Sequence, residues 1–196
     1  MLKTVGAVIV LAIVAILIIA ATKPSTFVVQ RTTTVNASPD KVAALVNDFH
    51  NWDKWSPWAH LDPDMKVTYS GSSSGVGAAY EWQGNSKVGA GRMEIASVTP
   101  TKTTIKLDFL KPLASHNTAD FLIEPEGTGT RVTWIMYGPL DFFPGKLMSV
   151  FTSMDKMIGP DFDKGLAGIK SASEQAQQAQ PQQTQPPQPV PAKAQP

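Results

Sequence analysis

GRMEIASVTPTKTTIKLDFL, residues 91–110, repeats with a period of two on either side of Thr99-Pro100. Met93 and Ile95, then Ile105, Leu107 and Phe109, fall on one face of an extended chain, while Arg92, Glu94, Thr104, Lys106 and Asp108 fall on the other. A strand that sorts its side chains in this way is buried on one side only. The stretch is therefore read as part of a one-sided antiparallel sheet.

Working outward, the same alternation pairs Val67 with Tyr69 and Tyr80 with Trp82. It predicts strands at Met65–Ser70, Ala78–Gln83, Gly91–Val98, Thr103–Leu110, Asn117–Glu124 and Thr130–Tyr137, divided by Gly, Ser, Pro and Asn clusters. Upstream, Phe27–Ala37 is rich in β-branched residues and reads as a further strand. Ser38, Pro39 and Asp40 then start a helix: a capping oxygen, a preset φ and a charge suited to the dipole. Val42, Leu45, Val46 and Phe49 give that helix its apolar face. A second short helix carries Trp52, Trp55 and Trp58, three of the five tryptophans in the chain. Spacing of three keeps the indoles within about 120° of one another on a helix, so they share a packed face.

Downstream, Leu147, Val150, Phe151, Met154, Ile158, Phe162, Leu166 and Ile169 form an apolar stripe along a helix from Pro144 to about Ser171. Gly159-Pro160 predicts a kink or break within it, because proline removes a donor and crowds the preceding turn. Strand, two short helices, six strands and a long helix make an α+β fold in which a bent antiparallel sheet wraps around the C-terminal helix. A helix laid across such a sheet need not fill it, and the gap is a natural small-molecule pocket.

The two ends differ from this middle. Val5–Ala21 holds seventeen uncharged residues, eleven of them Val, Ile or Leu, and the uncharged run reaches from Thr4 to Thr22. A helix of that length spans about 26–28 Å, close to a bilayer core, and its aliphatic residues favour insertion by about 3–6 kcal/mol. Ala20-Ala21-Thr22 makes a poor cleavage site, so one uncleaved transmembrane helix over 1–24 is expected rather than a signal peptide. The amino terminus and Lys3 outweigh Lys23, which puts the N-terminus in the cytoplasm and the domain on the periplasmic or extracellular side. From Ser173 the chain turns to Gln and Pro, a composition that cannot offset its ordering entropy, so 173–196 is expected to be a disordered tail after a domain at 25–172.

The balance of 17 Lys and Arg against 16 Asp and Glu leaves no basic face for nucleic acid. With no cysteine there are no disulfides, thiolate metal sites or cysteine nucleophile.

At this point the chain resembles the START-like superfamily, also called SRPBCC, the polyketide cyclase and lipid-transport family. The resemblance covers about Thr26–Ser171 and rests on SPDKVAALVNDFHNWDKWSPW, YEWQGNSKVGAGRMEI, GTRVTWIMYGP and MDKMIGPDFDKGLAGIK. It implies a helix-grip fold with an internal hydrophobic cavity between sheet and C-terminal helix. It implies no single activity, because the family includes carriers, receptors, cyclases and co-chaperones.

Tyr80, Trp82, Met93, Phe109, Phe121 and Trp134 are the strand residues expected to face the helix and to line such a cavity, with Phe151 and Met154 as the opposite wall. Trp55 and Trp58 belong near its mouth. All of these residues serve equally well as plain core. No cofactor is expected: Gly84-Asn85 and the glycines at 89 and 91 lack a following Lys-Ser/Thr and a helix, so they read as a hairpin connection. His50, Asp53, His60, Asp62 and Asp64 crowd together without the spacing of a helical zinc site, and no metal is expected. No G-x-S-x-G elbow is present, and SGSSSG at 70–75 reads as a mobile loop over the pocket mouth. His116 is the one candidate for acid–base work, provided it converges inside the cavity with Asp120 or Arg92, although strand parity puts Arg92 on the wet face.

These residues favour a membrane-tethered protein that binds a hydrophobic small molecule or lipid without covalent chemistry. The alternatives are a cyclase-like enzyme acting on a hydrophobic substrate, and an interaction module with a vestigial pocket whose tail does the binding.

Overall fold

The computed structural model describes residues 2–140 and 143–179, so most of the Pro/Gln-rich tail lies outside the described residues. The chain forms α1 (Leu2–Thr22), β1 (Thr26–Val35), α2 (Pro39–Val46), a 3-10 segment (Phe49–Lys54), β2 (Lys66–Gly71), β3 (Ala78–Gln83) and β4 (Ala90–Thr99). It continues with β5 (Lys102–Lys111), β6 (Ser115–Glu126), β7 (Gly129–Pro139), α3 (Phe143–Phe151) and α4 (Met154–Gln178). The strands make one seven-stranded antiparallel sheet in the order β1-β7-β6-β5-β4-β3-β2. This is the bent antiparallel sheet expected from the alternation and the helix-grip form that the resemblance implies, and all seven strands lie within a residue or two of their predicted limits.

Registers show why the alternation decided the fold. Tyr69 pairs with Tyr80, Tyr80 with Met93, Met93 with Leu107, and Ile95 with Ile105, so one continuous apolar row crosses four strands. On the opposite face Arg92 meets Glu81 and Asp108 across the strands. A register shift between Ile95 and Ser97 adds a residue to β4, which bends the sheet.

α4 lies along β1 and reaches β7, and α2 packs on its C-terminal half. Arg31 of β1 reaches up to α4, with Nη1 2.6 Å from Asp155 and Nε 3.3 Å from Asp163. Close packing here depends on missing side chains. A Cβ on Gly159 would meet the Arg31 guanidinium, one on Gly165 would lie 2.7 Å from the Trp134 ring, and one on Gly168 would lie 2.7 Å from the Trp55 carbonyl oxygen.

Two expectations about the C-terminal helix need correction. The break falls at Thr152–Ser153, and α4 runs unbroken through Gly159-Pro160. Pro160 is on the exposed face, as is Lys156, so the carbonyl that loses its partner can turn to water. The true start is set by Ser153, whose Oγ accepts from the Lys156 N–H. At the other end α4 continues past the change of composition at Ser173. Ser173 is fully buried, the Asn36 N–H donates to Glu174 at 2.8 Å, and the Ser38 N–H donates to Gln177 at 3.4 Å. These contacts order polar residues that composition alone assigned to the tail. Ser38 does occupy the cap position of α2, but its side chain makes no capping bond.

Candidate functional site

Two of the three tryptophans that follow α2, Trp52 and Trp55, are part of its C-terminal cap. The Trp52 indole N–H donates to the Val46 carbonyl at 3.1 Å and the Trp55 N–H to the Leu45 carbonyl at 3.2 Å, two acceptors that the end of a helix leaves without partners. The segment is a 3-10 helix, in which residues three apart eclipse, so Trp52 and Trp55 sit with ring centroids 4.6 Å apart. Both are buried, and Trp58 follows, half-buried and edge-on to Trp134 at 5.9 Å.

Around them the inner face of the sheet carries two aromatic groups. The first is packed beneath α4. Trp134 stacks on Phe162 at 3.9 Å and on Phe121 at 4.9 Å, and Trp55 meets it edge-on at 5.6 Å. The cavity expected between sheet and α4 is thus filled at this point by the residues expected to line it. Sequence periodicity tells which residues face inward, but not whether their volumes close the gap.

The second group lies on β3, β4 and β5, beyond the strands that α4 covers. Tyr80, Trp82 and Phe109 are half-buried there, with Met93 and Leu107 at the edge of the core. The Trp82 ring rests over Gly91, where a Cβ would lie 2.3 Å from it, and meets Phe109 edge-on at 5.8 Å. Its N–H donates to the Val88 carbonyl at 2.9 Å, which fixes the indole as a flat apolar shelf. Tyr80 lies 6.1 Å from Trp82, and burial pushes its phenol up to about 12. The hairpin Gly84–Gly89, closed by the Gly84 N–H on the Gly89 carbonyl, borders this shelf as expected for a plain connection.

Two buried polar atoms on the inner face have no partner among the described residues: Trp134 Nε1, a donor, and Asn117 Oδ1, an acceptor. Neither stood out in the sequence, because the need for a partner arises only from burial.

Met154 is partly buried against the core. Phe151 is not part of that wall: it sits at the end of α3, separated from α4 by the break, and is 71% exposed. The break removes it from the stripe in which it was counted.

The groups considered for catalysis lie on the other side of the sheet. His116 has an exposed side chain and its Nδ1 is 2.7 Å from Asp108, on the outer face. Asp120 is buried on that face, held by Lys102 Nζ at 2.8 Å and by the Thr104 hydroxyl at 2.7 Å, and this bond raises the Lys102 pKa. Arg92 pairs with Glu94 at 2.6 Å. None of the three enters the interior. In the cluster considered for a metal, His50 bonds Asp48, His60 bonds the Asp53 carbonyl, and the Asp62 carboxylate accepts the Asn85 and Asp64 N–H groups. The serine loop is tied down: the Gly75 N–H donates to the Asn47 carbonyl at 2.7 Å, and Ser72 Oγ donates to the Val76 carbonyl at 2.9 Å.

α1 is long and apolar enough over Thr4–Thr22 to cross a membrane. A shallow groove of about 550 Å³ lies between α2 and α4, bordered by Leu45, Lys54 and Gln175, and a small opening of about 10 Å³ lies at the joint of α3 and α4.

Comparison with known proteins gives one family. Its profile, described as polyketide cyclase / dehydrase and lipid transport, matches residues 26–174. No curated protein matches the sequence. Similar solved structures include a protein from Chromobacterium violaceum, with 14% identity, covering 78% of this chain and 99% of that one at a TM-score of 0.52. The Aha1 dimer from Colwellia psychrerythraea gives 16% identity, 76% and 96% coverage and a TM-score of 0.51. The di-domain ARO/CYC StfQ of the steffimycin biosynthetic pathway gives 11% identity, 78% and 52% coverage and a TM-score of 0.56. At these identities the likeness is one of fold.

Proposed function

Since the chain belongs to the polyketide cyclase / dehydrase and lipid transport family over residues 26–174, we propose that it is a membrane-tethered protein that binds a hydrophobic small molecule or lipid without covalent chemistry. The observation that carries this reading is the half-buried aromatic shelf of Tyr80, Trp82 and Phe109, an apolar surface on the inner face that α4 leaves partly uncovered. A ligand lying there gains about 25 cal/mol for each Å² of apolar surface removed from water. An acid–base role has no comparable support, since His116, Asp120 and Arg92 sit on the outer face.

α1 supplies the tether, with the domain on the outer side of the membrane. Protease added to intact cells stripped of their outer layers checks this orientation: a protected domain overturns it. For the ligand, native mass spectrometry of residues 24–179 made without detergent is the test. A copurifying hydrophobic molecule, or uptake from a lipid extract, is the expected result; a bare mass under both conditions overturns the reading. Trp82→Ala should weaken uptake, because it removes the shelf. Met154→Ala should do so too, and unchanged uptake in both variants places the ligand elsewhere.

A further inference from the structure

We propose that α3 is itself an interfacial membrane element, seated in the bilayer beside the last turns of α1, so that the domain rests on the membrane rather than hanging from a linker. The proposal builds on the membrane tether proposed above and adds a second point of attachment.

Three observations converge on it. First, α3 packs against α1. Along α1 the exposed residues include Val10 at 59%, Leu11 at 68% and Ile18 at 61%, whereas Ala20 is 2% exposed and Ile16 and Lys23 are half-buried. Residues 16, 20 and 23 fall on one helical face, so α3 covers the C-terminal end of the very run that is apolar enough to span. At 1.5 Å per residue that stretch is about 10 Å long, the depth of the boundary between headgroups and acyl chains.

Second, α3 reads FPGKLMSVF, with Lys146 as its one charge. Phe151 is 71% exposed and Met148 37%. A phenylalanine left in water at the end of a short apolar helix is a poor fit for a soluble surface, but it prolongs the lipid-facing surface of the helix on which α3 packs. Lys146 is half-buried, the position from which an ammonium group extends to the headgroups.

Third, the connection is short: α1 ends at Thr22 and β1 begins at Thr26. The same end of the sheet holds the turn between β5 and β6, where Leu110 is 61% and Leu113 52% exposed. The opposite end carries Asp40, Asp48, Glu126 and Glu174. The end joined to the anchor thus exposes large apolar side chains beside the lysines Lys66, Lys87 and Lys111, whereas these four carboxylates lie at the far end. The joint between α3 and α4, at Thr152–Ser153, then sits at lipid level, where a ligand leaving the bilayer would meet the domain.

The chain has no cysteine, so single substitutions Val10→Cys, Phe151→Cys and Val76→Cys can each carry an environment-sensitive fluorophore in the full-length protein. Reconstituted in phosphatidylcholine and phosphatidylglycerol vesicles, the probes are read for blue shift and for quenching by doxyl-labelled lipid. Val76, 56% exposed in the loop near α2, serves as the distal control. The proposal expects quenching and a blue shift at positions 10 and 151, with neither at 76. Quenching at 10 but not at 151 overturns the interfacial role of α3 and leaves the tether standing. No quenching at 10 removes the tether and this proposal with it. A blue shift at 151 without quenching, accompanied by a doubled mass, assigns the Phe151 face to a second copy and also overturns it.

Discussion

Trp134 stacks between Phe121 and Phe162 with its N–H buried and unpartnered. An unmet buried donor costs about 1–3 kcal/mol, so Trp134→Phe, which keeps most of the stacking and removes the donor, should leave stability unchanged or raise it. Trp134→Ala should cost about 3–5 kcal/mol through the cavity it opens. Urea unfolding of the two variants separates ring from donor: equal losses in both would mean that the stack contributes little. Tyr80 gives a second prediction, one that depends on pH. Its phenol is raised to about 12 by burial first and by Tyr69 second, while the unfolded chain ionises near about 10. The folded state therefore binds the proton more tightly. Tyr80 contributes nothing pH-dependent well below the unfolded value, and stability is lost as pH climbs from there through the folded value. The fall should be shallower in Tyr80→Phe, and an unchanged slope would show that the phenol is solvated. These residue properties were only half legible beforehand. Alternation identified Trp134 and Tyr80 as inward-facing; which polar atoms would lack partners depends on neighbours far away in the chain.

Among the elements, the strands were the most legible, because an inward residue every second position leaves little freedom of register once one face is buried. Helices were harder. Gly159-Pro160 suggested a break, yet Gly159 is where the Arg31 guanidinium crosses α4 and Pro160 faces water. The informative signal was Ser153, a capping residue hidden in a continuous apolar stripe. The glycines of α4 yield a contrast. Gly168→Ala places a methyl 2.7 Å from a backbone oxygen that cannot swing away, and should cost about 1–3 kcal/mol. Gly159→Ala meets only the tip of a flexible side chain. There the gain of about 1 kcal/mol in helix propensity offsets a loosened surface ion pair worth about as much or less. Thermal melts should rank Gly168→Ala clearly below Gly159→Ala, and the reverse order would mean that α4 can shift away from Trp55.

At the scale of the whole molecule, the Pro/Gln-rich composition marked the place where the domain fades but not where α4 ends. Glu174 and Gln177 accept N–H groups of the segment just before α2, and Ser173 is buried with its hydroxyl donating to the Ile169 carbonyl within α4. A chain ending at residue 172 should therefore melt at a lower temperature than one ending at 179, and equal melting would show those contacts to be dispensable. The aromatic residues have a consequence of a different kind. Trp52, Trp55, Trp58 and Trp134 form an unbroken chain of close rings, with neighbouring centroids 4.6, 5.6 and 5.9 Å apart. Trp82 stands outside it, on the shelf beside Phe109. The four touching indoles absorb as one coupled chromophore, so near-ultraviolet circular dichroism reports whether the core is assembled. Emission from Trp82 responds to whatever lies against its ring. The protein thus carries two optical channels of its own, one for the packing of its core and one for the surroundings of Trp82, and neither needs an added dye.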